Sequence, residues 1–199
     1  MAKPKRKRAL TTPDLVLLSL LSERPMHGYQ ANLELERRQV RDWAGVSRPQ
    51  VYYSLEKLER LGLVRAGKDS EPAAGPDRTV LAVTASGRTA LAQALEREEW
   101  ATQRERPAFL TWLALSWQAP PAIVRKQIER RLRFLASELK REEATLRAVL
   151  EEVGHRNHEA VWMLTLIIDQ FTVELRWLDR VAAGLKHRTP ARNPAYVAE

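Results

Sequence analysis

The chain has 199 residues, 44% of them hydrophobic and 29% charged, which is ordinary globular composition and enough for one large domain or two small ones. Zero cysteines exclude disulfides, thiolate catalysis and cysteine-ligated metal centres. The net charge of +8 is uneven: residues 1–88 hold 16 Lys and Arg against 10 Asp and Glu, whereas residues 89–199 hold 17 against 15.

No run approaches the roughly 18 apolar residues of a membrane span, and no apolar segment follows the basic start as in a secretion signal. A soluble, cytoplasmic protein with no membrane partner is expected. Lys3, Lys5, Arg6, Lys7 and Arg8 make residues 1–9 a basic arm, which either enters a nucleic-acid minor groove or stays a solvated tail.

In "TTPDLVLLSLLSE", Thr12 is placed as N-cap, Pro13 as the first helical residue and Asp14 against the positive helix end. The apolar run from Leu15 to Leu21 predicts a helix buried on most sides. "RPMHGY" breaks it, and a short second helix is expected from about Tyr29 to Arg38, with Tyr29 and Leu33 on one face. His27 and Tyr29 read as structural, a tight turn and a core tyrosine, and Gly28 as a site of close packing or special backbone angle. "RQVRDWAGVS" reads as a connector of about ten residues.

The next segment is "SRPQVYYSLEKLERLGLV". Ser47 and Gln50 form a capping box at its start. At 100° per residue, Leu55 and Leu58 fall within about 40° of Val51, a narrow buried stripe. The opposite face carries Pro49, Gln50, Tyr53, Lys57 and Arg60, with Tyr52 on the flank. A helix meant only for water would use glutamate, lysine and alanine there, so this face points to a partner.

"LVRAG" and "RTVLAVT" predict two short strands joined by the turn-rich "KDSEPAAGP". Three helices followed by a β-hairpin are the plan of a winged helix-turn-helix, with the third helix presented outward and the hairpin as a wing. Thr84 is placed as the cap of a fourth helix, "ASGRTALAQALEREEWATQRER".

From Pro120 a long helix carries Ile128, Leu132, Leu135, Leu139, Leu146, Val149 and Val153, with Glu142 interrupting. After "GHRNH" a second carries Val161, Leu164, Ile168, Phe171, Leu175, Leu178, Ala182 and Leu185. These are heptad seams of an antiparallel hairpin. Trp162, Leu166, Ile167 and Trp177 lie off the seam and need a further cover, most simply a second chain.

The expected fold is mainly α with a small β-hairpin. A winged helix-turn-helix DNA-binding domain spans 10–88, and a helical, antiparallel coiled-coil-like dimerisation domain spans 89–189. The arm 1–9 and a tail 190–199 flank them.

In a complex with double-stranded DNA, Gln50 can pair with adenine, and Lys57 and Arg60 can neutralise phosphates. Tyr52 and Tyr53 can donate to phosphate or pack on sugar and thymine methyl, and Arg48 can serve either role. Lys68 and Arg78 flank the wing, where they either contact phosphate or the minor groove or remain solvated.

The residues "PMHGY" (Pro25, Met26, His27, Gly28, Tyr29) and the pattern YxxLxxLexxGLv (Tyr52, Leu55, Leu58, Glu59, Gly62, Leu63, Val64) closely resemble the PadR family of bacterial transcriptional regulators. Leu81, Val83, Thr84 and Gly87 follow that family's YxLTxxG-like wing ending, with Leu81 in place of the aromatic. The resemblance is specific over about residues 10–90 and rests on helix layout beyond. It implies homodimeric repressors of nearby genes, often released by a small molecule.

His155 and His158 in "GHRNH" read as a polar turn, since no cysteine and few carboxylates stand near to complete a metal shell. Six tryptophans read as core and dimer packing, or as rings that sandwich a flat aromatic or apolar effector. No P-loop, G-x-S-x-G elbow, GxGxxG or metal motif is present, so neither an enzyme nor a cofactor is expected. The expected function is a homodimeric, sequence-specific repressor on a pseudo-palindromic operator; the alternative is a winged helix that binds protein without specific DNA affinity.

Overall fold

The computed structural model describes residues 10–67, 79–103 and 107–188, and the chain divides into two compact units, Met1–Arg104 and Glu105–Glu199. The arm 1–9, the wing tip with Lys68 and Arg78, and the tail from residue 190 lie outside the described residues.

In the first unit, helix α1 spans Thr12–Glu23 and its cap is Thr11, one residue before the Thr12 expected. The Asp14 carboxylate accepts from the Thr11 backbone N–H at 2.7 Å and from its hydroxyl at 2.8 Å, so Thr11 is the residue that closes the box. Leu15, Leu17, Leu18, Leu20 and Leu21 are buried, as their dense run requires.

Helix α2 (Gly28–Arg37) turns Ala31, Asn32 and Leu35 inward. Tyr29 and Leu33 do share a face, but it is the exposed one, so Tyr29 is not a core residue. Its neighbour His27 stacks on it, ring centroids 5.6 Å apart. The expected connector contains a short helix, α3 (Val40–Ala44), because buried Val40 and Val46 pin both of its ends to the core.

Helix α4 (Arg48–Arg60) buries Val51, Leu55 and Leu58 along the expected stripe. It ends where Gly62 takes φ 68° and the Gly62 and Leu63 amides donate to the Glu59 and Leu58 carbonyls, both at 2.9 Å. That paired pattern is a Schellman stop, which needs the left-handed angle glycine tolerates.

Three strands form one antiparallel sheet: β1 (Met26–His27), β2 (Val64–Ala66) and β3 (Val80–Val83), in the order β1-β3-β2. The two expected strands are present, with Val64 opposite Val83 and Ala66 opposite Leu81. β1 is an addition: Met26 pairs Leu81 and His27 pairs Val80 from within the helix-breaking turn.

Helix α5 (Ala85–Leu95) is capped by Thr84, whose hydroxyl oxygen accepts from the Gly87 amide at 3.0 Å. The single fourth helix expected through residue 106 is interrupted, and a short α6 follows at Glu99–Thr102. The Ala94 carbonyl accepts from the Trp100 indole at 2.8 Å and the Arg97 Nε at 3.1 Å, the place a continuing helical amide would take. α5 packs on α1, which keeps it in the first unit beyond the 88/89 boundary drawn from sequence.

In the second unit, α7 (Ala108–Leu115) and a 3-10 turn lead into α8 (Pro121–Val153), and α9 (Glu159–Gly184) returns along it. Ile128, Leu135 and Leu178 are fully buried on the facing seams, with Val124, Val161 and Leu164 close behind. Glu142 falls on the α8 seam and is buried there, held by Arg141 at 3.0 Å. Arg131 grips Glu174 across the hairpin at 2.8 and 3.0 Å and lies over the rings of Phe109 and Phe134.

Candidate nucleic-acid interface

The helix-turn-helix core holds α4 by its leucine stripe and leaves the reverse side of its first two turns open. Pro49, Gln50 and Tyr52 are exposed there, and Tyr53 most of all among its aromatics, at 56%. Tyr52 leans toward the start of α2: a Cβ on Gly28 would lie 3.4 Å from its ring. That is ordinary contact, and Gly28 has no left-handed backbone angle, so neither of the two reasons expected for a glycine there is required by the fold.

The cations arrange themselves differently from the helical wheel. Lys57 is buried, its ammonium bonded to the fully buried Asp14 carboxylate. The wheel sets Lys57 on the outward face, about 120° from Val51, and α1 covers that side of the helix. Lys57 is thus removed from the phosphate-contacting set that the sequence suggested.

Arg48 is exposed but engaged: its Nε donates to Glu36 at 3.0 Å and its Nη2 to the same oxygen. The pair holds the Glu36 carboxyl below its ordinary value and the Arg48 guanidinium above its own. Arg41 also reaches Glu36, at 3.1 Å. Arg60 is exposed and stands 3.8 Å from Glu56.

Gln50 closes the α4 capping box, its Oε1 accepting from the Ser47 amide at 2.8 Å and hydroxyl at 2.9 Å. Bidentate pairing with adenine needs that same oxygen as an acceptor, so Gln50 does not offer it while the cap is closed. Its amide nitrogen remains for a single contact.

Arg65 is a cation that the sequence reading passed over. It is exposed on β2, directly after buried Val64 and before exposed Ala66, and its place one residue beyond the apolar Val64 was the signal for it. The described surface is therefore a polar-aromatic ridge on α4, with Arg60 at its far end and Arg65 on the adjoining strand.

Residues 17–93 match the family model described as the transcriptional regulator PadR-like family. Comparison with curated protein sequences finds no match. Among solved structures, Bacillus subtilis PadR in complex with operator DNA superposes with a TM-score of 0.72 at 15% identity, covering 92% of this chain and 99% of that one. The same protein in complex with p-coumaric acid gives 0.69 at 15%, covering 88% and 99%. A PadR-like regulator from Bacillus cereus gives 0.65 at 17%, covering 89% and 99%. At such identities the likeness is one of fold: a mainly helical chain with a winged-helix sheet. Among the described residues no helix is long and apolar enough to cross a membrane.

Proposed function

We propose, for a chain whose residues 17–93 belong to the PadR-like family of transcriptional regulators, that it acts in the cytoplasm as a homodimeric repressor, with α4 reading operator DNA. The observation that carries this reading is the α4 ridge. Tyr53, Tyr52 and Pro49 stand exposed on a helix whose other side is locked into the core. In this reading Tyr53 and Tyr52 contact sugar, phosphate oxygen or thymine methyl.

With Lys57 buried and Arg48 already paired, α4 itself supplies little net positive charge. Counterion displacement then falls to Arg60 and Arg65 on the described surface, and to the basic arm with Lys68 and Arg78. Two chains, joined through their C-terminal helices, would set two such ridges on successive major grooves of a pseudo-palindromic site. Release by a small apolar or aromatic effector is part of the proposal, supported by the p-coumaric acid complex of the Bacillus subtilis protein. Such a ligand acts only through its different affinity for the two dimer states.

Fluorescence anisotropy with duplexes from upstream of the protein's own coding sequence tests the reading. Wild type should bind one duplex far better than scrambled DNA, and Tyr53→Ala should reduce that preference about tenfold or more. Equal discrimination by both proteins would remove α4 from the mechanism.

A further inference from the structure

In the second unit, a cavity of about 290 Å³ lies among α7, its following 3-10 turn, the start of α8 and the end of α9. Leu113, Val124, Ile128, Val181 and Leu185 form an apolar wall. Arg188 lines the same cavity. Its Nη2 donates to the Ser116 carbonyl at 2.7 Å, while its Nη1 is buried with no hydrogen-bond partner. Among the described residues no carboxylate lines the cavity and Arg188 has no ion pair.

We infer that this cavity binds a small apolar monocarboxylate, with Arg188 as its counter-ion. A guanidinium does not deprotonate at accessible pH, so a buried and unpaired N–H of Arg188 calls for an anionic acceptor. A carboxylate is the natural one, because its two oxygens match the planar donors of arginine. The bond to Ser116 fixes the guanidinium plane in advance.

The rest of the wall selects what the carboxylate is attached to. The Ser116 hydroxyl already donates to the Leu113 carbonyl at 2.8 Å, so it has no proton left to give a polar ligand and can only accept. A phosphate or sugar acid would lose hydration without replacement. A single ring or a short alkyl chain suits a volume at the lower end of ligand pockets. Binding itself stands apart from the effector reading; only its consequence for DNA rests on it.

The test uses the full chain with phenylacetate and hexanoate as probes and phenylacetamide as the neutral control. Trp112 and Trp177, packed on the same apolar cluster, report binding by fluorescence, and calorimetry checks it. Phenylacetate should bind at least about tenfold more tightly than the amide. Arg188→Gln should remove that preference while Arg188→Lys retains part of it. Gly184→Leu narrows the cavity without strain, since an added Cβ there meets no atom within 4 Å, and should weaken both probes with an unchanged melting temperature. Equal affinity of carboxylate and amide, equal carboxylate binding by wild type and Arg188→Gln, or no binding by wild type overturns the inference. Anisotropy on operator DNA is read separately. Phenylacetate that binds but leaves DNA in place counts against the effector reading alone, whereas an effector that releases DNA equally from Arg188→Gln counts against this site alone.

Discussion

Lys57 of α4 and Asp14 of α1 form an ion pair inside the apolar core, with Asp14 fully buried and Lys57 9% exposed. Asp14 closes the α1 cap through Thr11 as well, so one carboxylate ties the start of the first helix to the ridge-bearing helix. The Leu stripe alone would let α4 rotate by some degrees about its axis. The pair fixes which residues face outward.

Removing one partner leaves the other charged and buried. Lys57→Ala or Asp14→Ala should therefore destabilise the fold by about 3–5 kcal/mol, while the double change Asp14→Leu with Lys57→Met should be close to neutral. Urea unfolding followed by circular dichroism measures both. The double variant should also keep the wild-type salt dependence of DNA binding, because a buried lysine displaces no counterion. A shallower slope would return Lys57 to the phosphate contacts.

Acid should act through the same carboxylate. Burial pushes the Asp14 carboxyl up, but Lys57 and the Thr11 amide and hydroxyl together outweigh it, and the net position is below the ordinary 3.8. A depressed folded value means that the unfolded chain takes up the proton first. The stability from Asp14 is present in full above about pH 4 and is lost as pH falls toward the folded value. Asp14→Asn should flatten the acid limb of the stability profile below pH ~4, measured as melting temperature against pH. An identical acid limb in both proteins would contradict it.

Gly87 sits where α5 begins against the end of α4. A Cβ there would lie 2.1 Å from the Leu63 carbonyl oxygen and 2.8 Å from Val83 Cγ2. That carbonyl accepts from the Thr84 amide at 3.0 Å, so it cannot retreat without loosening the cap. Gly87→Ala should cost about 3 kcal/mol or more, far beyond a helix-propensity change, which would by itself be favourable. Gly28→Ala, with ordinary contacts at 3.4 Å, should stay within about 1 kcal/mol of wild type. Thermal melts of the two variants distinguish close approach from a general preference for glycine.

What could be read from the residues divides along physical lines. Long repeats and strong local signals were legible: the Val51, Leu55 and Leu58 stripe and the two long C-terminal helices by their period, the Ser47 and Thr84 caps by residue type, and β2 and β3 by apolar runs on either side of a turn-rich loop. β1 has two residues and α3 has five, too few to show a period. Lys57 was misplaced for a different reason. A helical wheel gives an angle about a helix's own axis, and only the position of α1 says which flank is covered. Tyr29 and Leu33 failed alike, since a shared apolar face does not say whether the core lies beneath it.

The expected second chain can be tested at a stripe that the fold leaves uncovered within the subunit. Trp162, Leu166 and Val173 fall on one side of α9, within about 40° of each other at 100° per residue, and are 55%, 59% and 61% exposed. An aromatic and two aliphatic side chains so placed mark an interaction surface better than a solvated helix face. Trp162→Glu with Leu166→Lys removes no seam contact, so the melting of an isolated subunit should change little. Sedimentation velocity should show the dimer replaced by monomer. Affinity for a two-half-site operator should fall about a hundredfold, because the second half-site is then bound from solution instead of at high local concentration. A variant that remains dimeric would move the interface to another face of the helical hairpin.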